Sequence, residues 1–354
     1  MSSESKPVLI DGRYGEGGGS IVRVAVGLSA VTGRPVSISN IRENRPRPGL
    51  APQHLTGLKA LARLCNARTE GLALGSTSIK FVPRKPNLAE LSVDAGTAGS
   101  IGLMLQSLMI ALPFAGREVR LSLTGGTHVP WAPNIDYLSN VTIPVLRMMG
   151  YSCDVTMISP GYYPKGGGRV LFQSRPCQCL SALKMDRFGD LVAVEGVSRA
   201  SNLPEHVAAR QSRAAAEALR GVADPKIEVS AQRSASPGSA ITLWASTTTG
   251  CRLGASALGE RGKPAEAVGR EAGEEMRLYV EGRAPVDPHL LDQILPYCAL
   301  ARGVSVLRGY KLTMHTTTNV HVVKLFLDSR IEVEGEVGEA CTITIEGVGM
   351  TGEG

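Results

Sequence analysis

One order of elements, strand–helix–strand–helix–strand–strand, recurs along this chain, and it constrains the fold more than any single motif. It shows in hydrophobic period and in Gly/Pro punctuation rather than in repeated identities. The first pass covers residues 7–82. A strand at Pro7–Ile10, a helix at Ser20–Val31, a strand at Pro35–Ser39 and a helix at Gln53–Cys65 lead to two strands ending at Val82. The second covers residues 91–174, with a strand at Leu91–Val93, an apolar helix at Ile101–Leu112, a strand at Glu118–Leu123, a helix at Ile135–Met148 and two further strands. The C-terminal part repeats the pattern with a helix at His289–Ala301, a strand at Ser305–Tyr310, a helix at Asn319–Leu327 and two strands ending near Ile345. The stretch 185–278 interrupts it with a helix at Pro204–Leu219, alternating segments at Lys226–Val229 and Ala240–Ala245, and a charged helix after Pro264. The expectation is an α/β (α+β) fold. Three βαβαββ units form a main domain from residues 1–184 and 279–354, and residues 185–278 form a small α/β domain inserted in the third unit.

Composition narrows the function classes. No apolar run reaches membrane-spanning length, and Met1–Lys6 lacks the apolar segment of a signal peptide, which points to the cytoplasm. The seven cysteines include no C-x-x-C pair, and Cys177-x-Cys179 has neither zinc nor redox spacing, so reduced thiols are expected. A net charge of +6 permits a polyanionic partner. Aromatics make up only 4%, too few for a platform stacking several bases, so a nucleic acid would be gripped by phosphate and at its end.

The glycine-rich turn Gly15-Glu16-Gly17-Gly18-Gly19 sits between the first strand and a helix carrying Arg23, and Arg42, Arg45 and Arg47 follow the second strand. Glycines let backbone N–H groups approach an oxyanion, the helix N-terminus adds its dipole, and guanidinium forks match phosphate. No Walker motif is present. Gly259-Glu260-Arg261-Gly262-Lys263-Pro264 comes nearest but lacks the spacing and the hydroxyl residue after lysine, and Gly15-x-Gly17-x-x-Ser20 misses the last glycine of a dinucleotide fingerprint. ATP, if used, is bound by another arrangement.

The same residues carry a resemblance. Asp11-Gly12, Gly15 to Gly19, Ile41-Arg42, Arg45, Pro48-Gly49-Leu50 and Gln53-His54-Leu55-Thr56 resemble the N-terminal signature of RNA 3'-terminal phosphate cyclases. Ala98-Gly99-Ser100 with Leu105-Gln106, Thr124-Gly125-Gly126-Thr127 with Ala132-Pro133, and the glycine motif Gly161 to Gly168 continue it in order. His289-Leu290-Leu291-Asp292-Gln293 and Met314-His315-Thr316-Thr317-Thr318-Asn319 complete it. Pro160 stands where the family has a basic residue before its central glycines, with Lys165 the nearby substitute. That family similarly has three βαβαββ units and an inserted small domain.

The resemblance implies ATP-dependent cyclisation of an RNA 3'-phosphate to a 2',3'-cyclic phosphate, a ligase-type reaction through a histidine–AMP intermediate. His315 is the residue it marks for adenylylation. Its position at a strand-to-helix junction, opened by Thr317, Thr318 and Asn319, suits a nucleophile at the rim of a sheet, and a neutral imidazole can attack phosphorus. His289, Leu290, Leu291, Asp292 and Gln293 are implied to line an adenylate pocket, with Asp287 as N-cap and Pro288 at N1. Gln106, a lone amide on an apolar helix, bonds either a neighbouring backbone group or, as the resemblance implies, ATP. Arg23, Arg42 and Arg45 are expected on phosphate, whether the ATP tail or the RNA 3'-phosphate. Glu16 either holds Mg²⁺ (or Mn²⁺) or caps the following helix. The expected partners are ATP and RNA 3'-phosphate ends. Two other classes share parts of the pattern: a non-catalytic, cyclase-like RNA-binding protein of ribosome assembly, which would lack the histidine, and an enolpyruvyl transferase built from similar units.

Overall fold

Strand β1 (Val8–Asp11) pairs in parallel with β2 (Val36–Ser39), because helix α1 (Gly19–Thr32) carries the chain back across the sheet between them. After α2 (Pro52–Leu64), strands β3 (Arg68–Glu70) and β4 (Ile79–Val82) form a hairpin, and β4 adds antiparallel to β2, giving the order β1-β2-β4-β3. A second sheet is built alike. Its strands are β5 (Glu90–Asp94), β6 (Val119–Gly125), β7 (Cys153–Ser159) and β8 (Gly168–Ser174), in the order β5-β6-β8-β7. Between β5 and β6 lies α3 (Ile101–Ala111). Between β6 and β7, α4 (Ile135–Tyr137) runs through a π-helical turn at Leu138–Thr142 into α5 (Ile143–Met148). This computed structural model describes residues 6–352, so most of the N-terminal stretch read for a signal peptide lies outside the described residues.

After the two-residue strand β9 (Lys184–Met185) come β10 (Leu191–Ser201), α6 (His206–Ala218), β11 (Lys226–Gln232), β12 (Gly238–Thr247), β13 (Arg252–Leu258) and α7 (Ala265–Glu281). Their sheet runs β11-β10-β12-β13, and α6 and α7 pack on each other and on it over a separate apolar core that includes Leu219, Leu243 and Met276. The chain then forms α8 (Pro288–Leu300), β14 (Arg302–Gly309), α9 (Met314–Phe326), β15 (Arg330–Glu334) and β16 (Cys341–Val348). Here the order is β15-β16-β14-β9, with β14 parallel to β9 and antiparallel to β16. The architecture is mixed α/β with four small mixed sheets. Among the described residues no helix is long and apolar enough to cross a membrane.

Ten of the eleven α3 residues are buried, as expected of a helix that is apolar all round. It packs against α1 and α2, α1 also packs against α9, and α9 against α8, so the helices share the principal core. The β11-β10-β12-β13 sheet is bonded to that core directly. Asn134 Nδ2 donates to Thr242 Oγ1 at 3.0 Å, and the Gly254 N–H donates to Asp287 Oδ2 at 3.0 Å.

Three differences from the sequence reading have local causes. Helix α9 starts at Met314 rather than Asn319, because Thr313 caps it by accepting the Thr316 N–H at 3.0 Å, while its Thr and Val run has low helix propensity. The reading missed β13, whose Gly, Ala and Ser carry little strand signal, and β10, whose C-terminal half is buried without alternation. The helix expected over 135–148 keeps those outer bounds but contains the π-helical turn.

Candidate active site

The N-terminal turns of α1, α2, α8 and α9 converge. Thr313 Oγ1 donates to Asp292 Oδ1 at 2.8 Å, and Thr316 Oγ1 bonds the same oxygen. Asn319 donates to the Asp292 carbonyl at 3.0 Å and accepts from Ser20 Oγ at 2.8 Å. The first turn of α9 is therefore pinned to α8 and to α1. His315, second residue of α9, stands on that pinned turn with its side chain 46% exposed. Its Nδ1 lies 2.6 Å from Glu16 Oε2, and Glu16 Oε1 accepts from Arg45. Glu16 is the chief influence on the His315 ring and raises its pKa, with burial pulling the other way. Burial works against the Glu16 carboxylate, but His315 and then Arg45 outweigh it and hold its pKa below the ordinary value. With Nδ1 committed to the carboxylate, Nε2 is the nitrogen left to react.

Glu16 reaches this place because the glycine turn is clamped onto α9. Gly15 has φ +59° and lies so close that a Cβ would sit 2.2 Å from Thr318 Oγ1, and the Glu16 N–H donates to that hydroxyl at 3.3 Å. Helix α1 then begins with no side-chain cap. Basic groups surround its first turn. Arg23 Nε donates to Gln106 Oε1 at 3.0 Å, and burial, opposed by Glu16, brings its pKa down to about 10. Arg42 is held by a 2.9 Å bond to the Gly49 carbonyl, and its pKa is lowered by burial and then by Arg45. His54 is buried at the start of α2, where burial, then Arg23 and Arg42, push its pKa down to about 3 and keep the ring neutral. A Cβ on Gly19 would meet His54 Nε2 at 2.1 Å and Arg23 Nη1 at 2.9 Å. Guanidiniums gathered beside an uncapped helix N-terminus and one carboxylate suit an anion rich in oxygens.

His315 also borders a cavity of about 490 Å³, a size typical of small-molecule sites. Leu103, Met109, Ile110, Leu138 and Tyr297 contribute apolar wall. Of the residues singled out from sequence, Arg23, Gln106, His289, Asp292, Gln293 and His315 line this cavity. Leu290 and Leu291 do not: both are fully buried in the principal core on the inner face of α8. Arg42 and Arg45 lie with Glu16 outside the cavity wall. Gln106 meets the Arg23 guanidinium instead of a backbone group, and Gln293 accepts from Thr142 Oγ1 at 2.9 Å. Burial raises the Asp292 pKa against the opposing threonine hydroxyls and His315.

Sequence reasoning missed several parts of the site. Ser256, Leu258, Glu260 and Lys263 bring strand β13 and its following loop to the cavity wall, so the glycine–lysine stretch rejected as a Walker motif still borders it. Only the Thr313 capping position carried a local signal; the rest needs tertiary closure. As for metal, no cluster of three or more His, Cys, Asp or Glu side chains among the described residues could hold one. Glu16 meets Arg45 through Oε1 and lies 2.6 Å from His315 through Oε2.

Comparison with known proteins identifies the family of the chain. The profile of the RTC family, RNA 3'-terminal phosphate cyclase, matches residues 14–333. The chain is 46% identical over 333 residues to the RNA 3'-terminal phosphate cyclase of Pyrococcus furiosus, covering 94% of this chain and 96% of that protein. Proteins of the same name from Methanopyrus kandleri (45% over 346 residues; 96% and 98% covered) and Methanosarcina barkeri (48% over 330 residues; 93% and 97% covered) are similar as well. Among solved structures, the enolpyruvyl transferase NikO from Streptomyces tendae aligns with 12% identity and a TM-score of 0.40. That alignment covers 96% of this chain and 48% of the NikO chain, so this chain spans about half of NikO's length.

Proposed function

Because the chain belongs to the RNA 3'-terminal phosphate cyclase family, we propose that it cyclises RNA 3'-phosphate ends with ATP through an adenylate on His315. It is an enzyme of the ligase type, and its product is a 2',3'-cyclic phosphodiester. The observation that carries the histidine assignment is the 2.6 Å contact of Nδ1 with Glu16, on a ring that borders the cavity. In the first step His315 Nε2 attacks the α-phosphorus of ATP and pyrophosphate leaves. An oxygen of the RNA 3'-phosphate then attacks the same phosphorus, breaking the N–P bond and freeing the imidazole. Last, the 2'-OH attacks the 3'-phosphorus, loses its proton and expels AMP. That step is intramolecular, so positioning alone lowers its barrier.

In this reading the apolar cavity takes the adenosine, with Gln106, His289, Asp292 and Gln293 as polar contacts and Leu290 and Leu291 as the packing behind them. Arg23, Arg42 and Arg45 take phosphate charge, as the uncapped α1 N-terminus does. Mg²⁺ or Mn²⁺, bound with the phosphates and Glu16, would neutralise part of that charge. The three sheets with the common strand order are read as βαβαββ units of a main domain, residues 1–184 and 279–354, with residues 185–278 inserted in the third. A non-catalytic RNA-binding role does not use a histidine backed by a carboxylate.

The test is a chase. Protein incubated with α-³²P-ATP should carry an acid-labile, alkali-stable label, and added oligoribonucleotide with a 3'-phosphate should discharge it as AMP while its end becomes phosphatase-resistant. A labelled protein that never discharges to a 3'-phosphate end would sink the reading. Arg42→Ala is expected to raise the half-saturating RNA concentration about 10- to 100-fold, the range of a lost charge-assisted bond. It should change stability little, since among the described residues its side chain gives up one bond, to the Gly49 carbonyl. Unchanged RNA kinetics would remove Arg42 from the phosphate site.

A further inference from the structure

Tyr14 is fixed by backbone bonds in the turn between β1 and α1. Its N–H donates to the Asp11 carbonyl at 3.2 Å, and its carbonyl accepts the Gly17 N–H at 3.0 Å. One face of the ring lies flat on His321, with centroids 3.6 Å apart and planes 14° from parallel. Tyr14 nevertheless remains 47% exposed, so part of the residue away from His321 meets solvent. Burial lowers the His321 pKa, which favours a neutral ring as backing.

The position of this ring matters more than its exposure. Tyr14 stands two residues before Glu16, the carboxylate behind His315. His321 is six residues beyond His315 on the same helix, about 9 Å along its axis. On the other flank the turn touches the arginine loop: Arg13 Nε lies 3.6 Å from Glu43 Oε2, and Asn44 packs near Gly17. Tyr14 therefore lies against the helix of the nucleophile, in a turn whose neighbouring residues Arg13 and Gly17 touch the loop that carries Arg42 and Arg45. Trp131, another large exposed ring, borders the cavity, which Tyr14 does not line. In a chain with so few aromatics, one preordered ring beside an anion site suits one flat group attached to that anion.

We propose that Tyr14 is the stacking platform for the 3'-terminal base of the RNA, holding the end while its phosphate engages the arginines. The proposal rests on the cyclase reading above. Stacking needs only a π face, so the platform tolerates every base and grips the terminus without reading sequence. Backed by His321, the ring loses little freedom when the base arrives.

The experiment measures AMP transfer from preformed enzyme–AMP to two oligoribonucleotides with 3'-phosphates, identical except that the terminal nucleotide carries adenine or is abasic. Wild type should need roughly 5- to 150-fold more of the abasic RNA for half-saturation, the span of one base–aromatic stack. Tyr14→Ala should lose that factor on the adenine end and nothing on the abasic end, while Tyr14→Phe and Tyr14→Trp should behave as wild type. Equal losses on both RNAs, or no loss on the adenine end, would overturn the platform. Adduct formation from ATP alone keeps the two readings apart. A wild type that forms no adduct counts against the cyclase mechanism, whereas normal adduct without base discrimination counts against Tyr14 only. Should Tyr14→Ala form no adduct, the wild-type comparison decides, and equal half-saturation by the two RNAs refutes the proposal.

Discussion

His315→Ala is expected to fold, to form no enzyme–AMP adduct, and to lose at least about 10⁴-fold in cyclisation, the scale seen when a covalent nucleophile is removed. Folding should survive because the side chain is 46% exposed and its partner Glu16 keeps Arg45. The α9 cap, moreover, depends on Thr313 and Asp292 rather than on the imidazole. The stability change should stay within about 1 kcal/mol. The measurement is a denaturing gel after α-³²P-ATP, with thermal unfolding beside it. Label retained by a folded His315→Ala would move the nucleophile to another residue. Loss of label together with loss of fold would say nothing of chemistry, which is why the unfolding curve belongs to the same experiment.

The second large effect lies away from the chemistry. Asp136, on α4, accepts two bonds from Arg199 of β10, Nε at 2.7 Å and Nη2 at 2.8 Å, and lies 2.8 Å from His128 Nε2. His128 Nδ1 in turn lies 2.8 Å from Thr127 Oγ1. Burial alone would raise the Asp136 pKa, but Arg199 and then His128 hold it far below the ordinary carboxylate range. Arg199→Ala leaves this carboxylate buried beside one partner, a change that costs about 3–5 kcal/mol. The sign with pH follows from the lowered pKa. The stabilisation is complete above the unfolded value near ~3.9 and is lost as pH falls through the lower folded value, so the gap between wild type and Arg199→Ala narrows in acid. Denaturant unfolding at neutral pH checks the size, and a loss under about 1 kcal/mol would mean the pair contributes little beyond the desolvation of its charges. Because Arg199 belongs to the β11-β10-β12-β13 sheet and Asp136 to α4 beside the principal core, the substitution also loosens the sheet that brings Leu258 and Lys263 to the cavity.

Much of the site was legible in the chain because its signals are local. Glycines in a strand-to-helix turn, arginines after the next strand, and a histidine in a threonine run mark places where backbone conformation and charge are set by near neighbours. The same locality explains the errors. Helix α9 was started late at Asn319 because threonine and valine weaken helical signal, although Thr313 is a good cap. Leu290 and Leu291 carry the family motif, yet α8 turns them into the core, since adjacent residues on a helix face different directions and the cavity side belongs to His289, Asp292 and Gln293. The wall contributed by Ser256 and Leu258 carries no sequence signature, and Lys263 falls in a stretch that fails as a Walker motif, for this wall arises where a separately packed sheet meets the principal core.

By itself the sequence determined the alternation of elements, the family motifs in their order, and which side chains can do phosphate chemistry. All of these follow from hydrophobic period, turn chemistry and residue type. Only the tertiary structure decided that Glu16 backs His315, that Arg23 meets Gln106, that Asn319 joins Ser20 to Asp292, and that Tyr14 lies on His321. Those pairings join residues from distant parts of the chain. Hydrogen bonds and ring contacts act over a few ångströms, so which ones form is settled only when the helices have closed on their shared core.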